Sequence, residues 1–366
     1  MIKGFNNFIL SLLKMIENLK IIEISSVLAG PSVGMFFAEL GAEVIKIENK
    51  LSGGDITRKW HQTIEDSNNQ SAYFSSVNWG KKHIFLDLNN KSDIKKLTTL
   101  VKSSNVIITN FKHGDAQKFN LTFKDCKKIN NKIIYANLGG FKSAPKRVAF
   151  DAIIQAETGF ISINGESERD GIKMPVAMMD ILAAHQLKEG ILVALLKQKE
   201  NSRAYCVTTT LEETGYASLA NQASNYLMTN IVPKKMGSLH PNIAPYGEKV
   251  ITKDNVSFLL ALGTDKQFLK FSTYIGLSRT LIKKYNLNKK RVLHRFELIK
   301  HIQEKVTKLS SNNFFDNCMK LNLPVGRINT IENVFENPIA QDMILEESVK
   351  GQATKRVSSI AFSITS

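Results

Sequence analysis

Cysteine is scarce in this chain of 366 residues. Cys126, Cys206 and Cys318 lie far apart and are odd in number, which fits neither a disulfide framework nor metal-ligand spacing and implies a reducing, cytoplasmic setting with no metal. Long apolar runs are lacking as well. Phe8 to Leu13 is too short to span a bilayer, is followed at once by Lys14 and has no small-residue cleavage site behind it, so neither a membrane anchor nor export is expected. The dinucleotide fingerprint G-x-G-x-x-G is missing: Gly30, Gly34 and Gly41 have the wrong spacing, which argues against a nicotinamide-dependent oxidoreductase. Repeats and low-complexity segments are not found.

What is present is length enough to bury a substantial core, in one large domain with a smaller one attached. The formal net charge of +16 would suit a polyanionic ligand, but 40 lysines against 9 arginines, spread along the chain, read as a composition bias acting on surface positions. The densest basic cluster runs from Lys283 to Arg295. No nucleic-acid motif accompanies it, so it is expected to be a solvated face.

Lys20 to Ser25 reads as a buried strand, Pro31 to Leu40 as a helix and Glu43 to Glu48 as the next strand. Pro31 suits a helix start, where a missing N–H costs nothing, and Gly41 suits the C-terminal cap. The result is a βαβ unit, which favours a parallel sheet. The rhythm continues with strands at 83–88, 106–109 and 133–138, each running into a polar or glycine-bearing loop where open α/β sheets bind ligands. Later come a helix from Asp180 to about Lys199, a strand at 205–210 and a helix from Leu211 to about Asn230. Met15 stands just before the first strand, so residues 1–14 are expected to be an extension outside the fold. A large domain is expected over 15–230, a smaller α+β domain over 231–325, and a return to the large domain over 326–366.

Asp180 follows Ala177-Met-Met at the head of a long apolar stretch. Aspartate is a favoured N-cap residue, and capping is the ordinary reading. A chemical role is compatible with it, because a helix N-terminus holds a carboxylate ionised, as nucleophilic attack requires.

Several motifs in order carry a resemblance: Val27-Leu-Ala-Gly-Pro-Ser-Val-Gly-Met to Gly41-Ala-Glu-Val-Ile-Lys-Ile-Glu48, Ser52-Gly-Gly-Asp55 with Arg58, and Asn78-Trp-Gly-Lys-Lys82. They continue with Asn110-Phe111, Phe150-Asp151 with Gln155, Ala177-Met-Met-Asp180 and His240-Pro-Asn-Ile-Ala-Pro-Tyr246. In this order they resemble the class III coenzyme A transferases, from about residue 18 to 362. The resemblance implies an α/β fold: a Rossmann-like large domain with an open, mostly parallel sheet, a smaller α+β domain, and an interlocked homodimer. It implies acyl-CoA and a small carboxylic acid as substrates, with no nucleic acid and no membrane as partners. Asp180 would be the catalytic residue, forming a mixed anhydride and then an aspartyl-CoA thioester. By position, the coenzyme A pocket would take Leu28 and Ala29, then Leu86, Asp87, Leu88 and Asn89, then Asn110, Phe111, Lys112 and Lys118, and finally Gly139, Gly140, Phe141 and Lys142. Ordinary core packing is the alternative for Phe111 and Phe141. The acceptor carboxylate would sit near Gly237, His240 and Gly263 to Asp265.

Departures narrow the relatives. Leu28 stands where formyl-CoA transferase has a glutamine, so oxalate with formyl-CoA is not the expected pair. Phe150 stands where related racemases have a proton-transferring histidine, and phenylalanine exchanges no proton, so transfer is favoured over racemisation. A non-catalytic CoA-binding protein is the third reading.

Overall fold

The computed structural model describes residues 16–349 and 351–365. The expected extension at 1–14 lies outside the described residues. Two compact units are present, one formed by residues up to Phe160, Lys173–Ile231 and Ile339 onward, the other by Ile161–Ile172 and Val232–Pro338.

The first unit is built on a six-stranded parallel sheet of β1 (Lys20–Ile24), β2 (Glu43–Asn49), β3 (Lys82–Leu86), β4 (Val106–Thr109), β5 (Ile134–Gly139) and β6 (Tyr205–Thr210). Their order is β3-β2-β1-β4-β5-β6. The direction of winding reverses between β1 and β4, so the loops that leave these two strands diverge and open a crevice at the C-terminal edge. Isoleucine and valine dominate β1, β2 and β4 because both faces of the sheet are covered.

Helix α1 (Ala29–Glu39) crosses from β1 to β2, helix α2 (Lys91–Lys102) from β3 to β4, and the long helix α4 (Met178–Glu200) leads into β6. Between β5 and α4 lies the short helix α3 (Asp151–Glu157). Helices α1 and α4 share one core: Ala29, Val33, Phe36 and Phe37 pack with Met179, Ala183, Ala184 and Leu187. Each is connected to the parallel sheet so that its first turn lies at the C-terminal edge. The Lys188 ammonium stands 4.9 Å from the Phe36 ring. Lys188 is eight residues beyond Asp180 and Phe36 eight beyond Leu28, so the two helices run side by side with Leu28 and Asp180 at the same end.

In the last part of this unit, the antiparallel pair β10 (Ile344–Val349) and β11 (Gln352–Val357) leads to a segment held by Glu39 at the end of α1. The Glu39 carboxylate accepts bonds from Arg356, from the hydroxyls of Ser358 and Ser359, and from the backbone N–H groups of Ser359 and Ile360. Burial opposes its charge, but these donors hold its pKa below the ordinary carboxylate value.

The second unit contains the antiparallel sheet β7 (Tyr246–Ile251), β8 (Ser257–Ala261) and β9 (Val325–Arg327), covered by helices that include α5 (Asp265–Tyr274), α6 (Asn288–Leu293) and α7 (Arg295–Val306). Its core is Phe258, Phe268, Phe271, Phe314, Leu298 and Ile302 with their neighbours. The basic cluster at 283–295 is only partly a solvated face. Arg291 and Arg295 point inward and donate to the carbonyls of Ala244, His240 and Ile243, with Asp265 and Glu248 as counter-ions. A charged side chain is tolerated at this depth because its donors are met by acceptors.

Candidate active site

Asp180 is 8 % exposed and lies in the first turn of α4. It is not the cap that its position in the sequence suggests. Ala177 is the N-cap residue, and its own side chain makes no capping hydrogen bond. Instead, Asp151 at the start of α3 reaches across, and its Oδ1 accepts the backbone N–H of Met179 at 2.7 Å. Asp151 is itself held by Gln155, whose Nε2 donates to Oδ2 at 2.6 Å while its Oε1 accepts the N–H of Met174 at 2.8 Å. A chain of two side chains thus joins the segment before α4 to its first turn.

Burial raises the Asp180 pKa to about 7, and the nearby charge of Asp151 adds to the effect. The expectation that the helix N-terminus keeps this carboxylate fully ionised is therefore corrected: loss of water and a like charge outweigh the macrodipole. The resulting acid is half-ionised near neutrality, and its anion is poorly solvated and so more reactive. Tyr73 belongs to the same neighbourhood. Burial raises its phenol to about 12, and the charges of Asp180, Asp151 and Asp55 push in the same direction. Its ring packs edge-on against Trp60 at 5.0 Å between centroids.

A buried chain of charges lies under the loop from β1 to α1. Lys46 and Glu23, both fully buried, are 2.8 Å apart, and Lys46 is 3.2 Å from Asp55. Lys81 pairs with the other Glu23 oxygen at 2.7 Å. Burial works against the Glu23 charge, but Lys46 and Lys81 hold it below its usual range, whereas burial brings Lys81 down to about 7. The loop is fixed by this chain: Lys46 donates to the Ser25 carbonyl at 2.7 Å, Lys81 to the Pro31 carbonyl at 2.8 Å, and Asp55 accepts the Val27 N–H at 3.2 Å. Glycine at 34 is required because a β-carbon there would collide with Glu23 Oε2. Gly54 makes the same allowance for Glu48, which binds Arg58, His83 and the Asp55 N–H. Two sequence motifs, one around Gly34 and one around Gly54, thereby acquire a physical reason.

The residues expected to line a coenzyme A pocket leave the sheet at one edge. Leu28 and Ala29 follow β1, Leu86 ends β3 with Asp87 to Asn89 after it, Asn110 to Lys112 follow β4, and Gly139 ends β5 with Gly140 to Lys142 after it. Their side chains differ in availability. Asn110 spends its amide on Ser26, accepting the N–H at 3.1 Å and donating to the carbonyl at 2.9 Å, so it ties the two sides of the crevice together. Asp87 accepts from the Asn89 backbone and side chain, just ahead of α2. Leu86 is buried, and Leu88 and Phe111 pack against the same core. Phe141 is buried under the Arg147 guanidinium at 4.3 Å. Glu212 accepts the N–H groups of Lys142 and Ser143, and Lys142 pairs with Glu213. Lys112 and Lys118 are exposed cations near the loop after β4.

The sequence matches CoA-transferase family III over residues 16–365. The chain belongs to this family. It is 33% identical over 334 residues to the succinate–glutarate CoA-transferase of Agrobacterium fabrum, covering 89% of this chain and 83% of that one. It is 29% identical to the human succinyl-CoA:glutarate CoA-transferase, over 89% of this chain and 74% of the relative. Among solved structures it resembles a CAIB/BAIF family protein from Brucella suis, with a TM-score of 0.80, 31% identity, and coverage of 95% of this chain and 92% of that one. The chain is therefore a class III CoA-transferase with a parallel α/β fold, and family members of this type act on CoA thioesters. No helix among the described residues is long and apolar enough to cross a membrane.

Proposed function

We propose that this enzyme moves CoA from an acyl-CoA to a small carboxylic acid through a covalent intermediate on Asp180. The observation that carries the reading is the setting of Asp180: buried, raised to about 7, and held at the head of α4 by Asp151. An Asp180 oxygen attacks the thioester carbonyl, and the C–S bond breaks to release CoA thiolate and leave a mixed anhydride. The thiolate attacks the aspartyl carbonyl and expels the donor carboxylate, giving an aspartyl-CoA thioester. The acceptor carboxylate displaces the thiolate to form a second mixed anhydride, and attack of the thiolate on its acyl carbon yields the product and restores Asp180. Splitting the exchange in this way replaces one difficult step by several easier ones.

Leu28, Ala29, the loops after β3, β4 and β5, and the Lys112 and Lys118 cations form the proposed binding edge for CoA. Short dicarboxylates, of the succinate and glutarate kind that the relatives' names print, are the proposed substrates. The enzyme is further proposed to work as an interlocked homodimer in the cytoplasm, a reading supported by the family and by exposed Leu227 and Met228 on the helix 220–229.

Mass spectrometry after incubation with succinyl-CoA, glutaryl-CoA and unrelated thioesters tests the chemistry. An acyl or CoA adduct that maps to Asp180 and is absent from Asp180→Ala is expected; a fully active Asp180→Ala enzyme would end the proposal. Light scattering should give about twice the chain mass of 41.0 kDa.

A further inference from the structure

Val27 carries a branched side chain yet has φ of 73°, in the left-handed region that L-residues of this shape avoid. It is the residue immediately before Leu28 and Ala29. A backbone outlier of this kind persists only where its surroundings impose it, and here the source is visible. Both Asp55 oxygens face the Val27 N–H, at 3.3 and 3.2 Å. Asp55 is itself anchored from the far side by the Thr57 N–H at 3.1 Å, the Thr57 hydroxyl at 2.9 Å and the Lys46 ammonium at 3.2 Å. Lys46 is fixed in turn by Glu23 and by the Ser25 carbonyl. The two residues before Val27 are clamped as well, Ser25 by Lys46 and Ser26 by Asn110. The bonds to Ser25, Ser26 and Val27 all end on the short turn that delivers the chain from β1 into α1.

We infer that Asp55, seated on the Lys46–Glu23–Lys81 chain, is a positioning residue of the transfer reaction: it holds Val27 left-handed so that Leu28 and Ala29 face the CoA thioester. The inference rests on the proposed assignment of Leu28 and Ala29 to the CoA pocket. Asp55 touches no reacting atom. Its part is to keep the binding-competent turn populated, and a turn that spends most of its time elsewhere lowers apparent affinity in proportion.

The role separates Asp55 from an ordinary structural carboxylate in one respect. Glycine enters the left-handed region without penalty, so a glycine at position 27 makes the hold of Asp55 largely unnecessary. A carboxylate that served only to neutralise Lys46 could not be replaced by a change at Val27.

The experiment is calorimetric titration of the purified enzyme with CoA. Asp55→Ala should weaken binding about tenfold, the order expected when a branched residue is no longer held left-handed. Val27→Gly alone should stay within about threefold of wild type, and Asp55→Ala with Val27→Gly should return to that range. Asp55→Asn keeps one acceptor oxygen and the packing, and gives a second series, with a rise of about threefold and the same recovery, if the alanine variant does not fold. Unchanged affinity in either Asp55 variant would overturn the inference, as would a loss that Val27→Gly leaves uncorrected. Those outcomes leave the Asp180 chemistry intact, since the adduct test is independent. Failure of the wild-type enzyme to bind CoA would instead remove the pocket assignment, and the inference with it.

Discussion

The Asp151 carboxylate accepts the N–H of Met179, the residue just before Asp180, at 2.7 Å. One acid thus positions the backbone of another and also raises its pKa by charge. Asp151→Asn should keep much of the positioning and lose the charge. The ascending limb of the pH profile for adduct formation should have its midpoint near 7 in the wild type, where Asp180 ionises. In Asp151→Asn it should move to lower pH by about half a unit to one unit, and a profile that stays in place would contradict the pairing.

Asp180 also bears on stability. Its folded pKa of about 7 exceeds the ordinary aspartate value of 3.8, so stability falls as pH rises from about 4 to 7 and the full penalty is present above that. Asp180→Asn should therefore stabilise the enzyme by about 2–4 kcal/mol at pH 8, with the gain vanishing near pH 4. Urea unfolding at the two pH values checks both the size and the sign.

Gly34 sits inside α1, where alanine would ordinarily gain about 1 kcal/mol. Because a β-carbon there meets the Glu23 carboxylate, Gly34→Ala should instead destabilise by about 2 kcal/mol or more. Lys46→Met, which leaves Glu23 and Asp55 short of a counter-charge, should cost about 3–5 kcal/mol. Denaturant midpoints of the two variants provide the comparison.

Much of the fold could be read from the sequence, because apolar strands followed by polar loops and amphipathic helices carry their own period. The six parallel strands are examples. Glu23 and Lys46 are legible only in part. They are direct neighbours in the register of β1 and β2, and a charge in the middle of an otherwise apolar strand covered on both faces must be paired. The signal was there in Lys20-Ile-Ile-Glu-Ile and Glu43-Val-Ile-Lys-Ile, but the partner could be named only once the register was known. The helix expected over 211–230 is two, Leu211–Ala217 and Ala220–Thr229, because the chain takes a left-handed φ of 47° at Ala220, where the sequence has no glycine or proline to announce it. The joining of residues 161–172 to the second unit is a long-range packing event without a local signature. Asp180 stands at the head of an apolar stretch that by itself reads as a helix cap, and its proposed role comes from the family resemblance. Its raised pKa depends on burial and on Asp151, 29 positions earlier in the chain, which no local pattern contains.

Glu39 offers a separate test. Its depressed pKa means that its contribution is present above the ordinary value of 4.5 and is lost as pH falls through the folded value. Glu39→Gln should cost about 1.5–3 kcal/mol at pH 7 and speed amide exchange at Ser359 and Ile360 most of all, with a smaller difference from wild type in acid. Equal protection of these two amides in both proteins would show that the carboxylate does not hold the segment.

The bond from Glu39 to Arg356 spans 317 positions. During synthesis at roughly 5–20 residues per second, the last side chain of α1 therefore waits on the order of 15–60 s for the segment that binds it. Over that interval Glu39 lacks its bonds to Arg356, Ser358, Ser359 and Ile360, and the helix that starts at the proposed binding loop is unfinished at its other end. A ribosome-bound chain stopped before residue 356 should thus be more open to proteases around α1 than the released enzyme. The order in which the residues are made, as much as their final contacts, decides when this enzyme can begin to work.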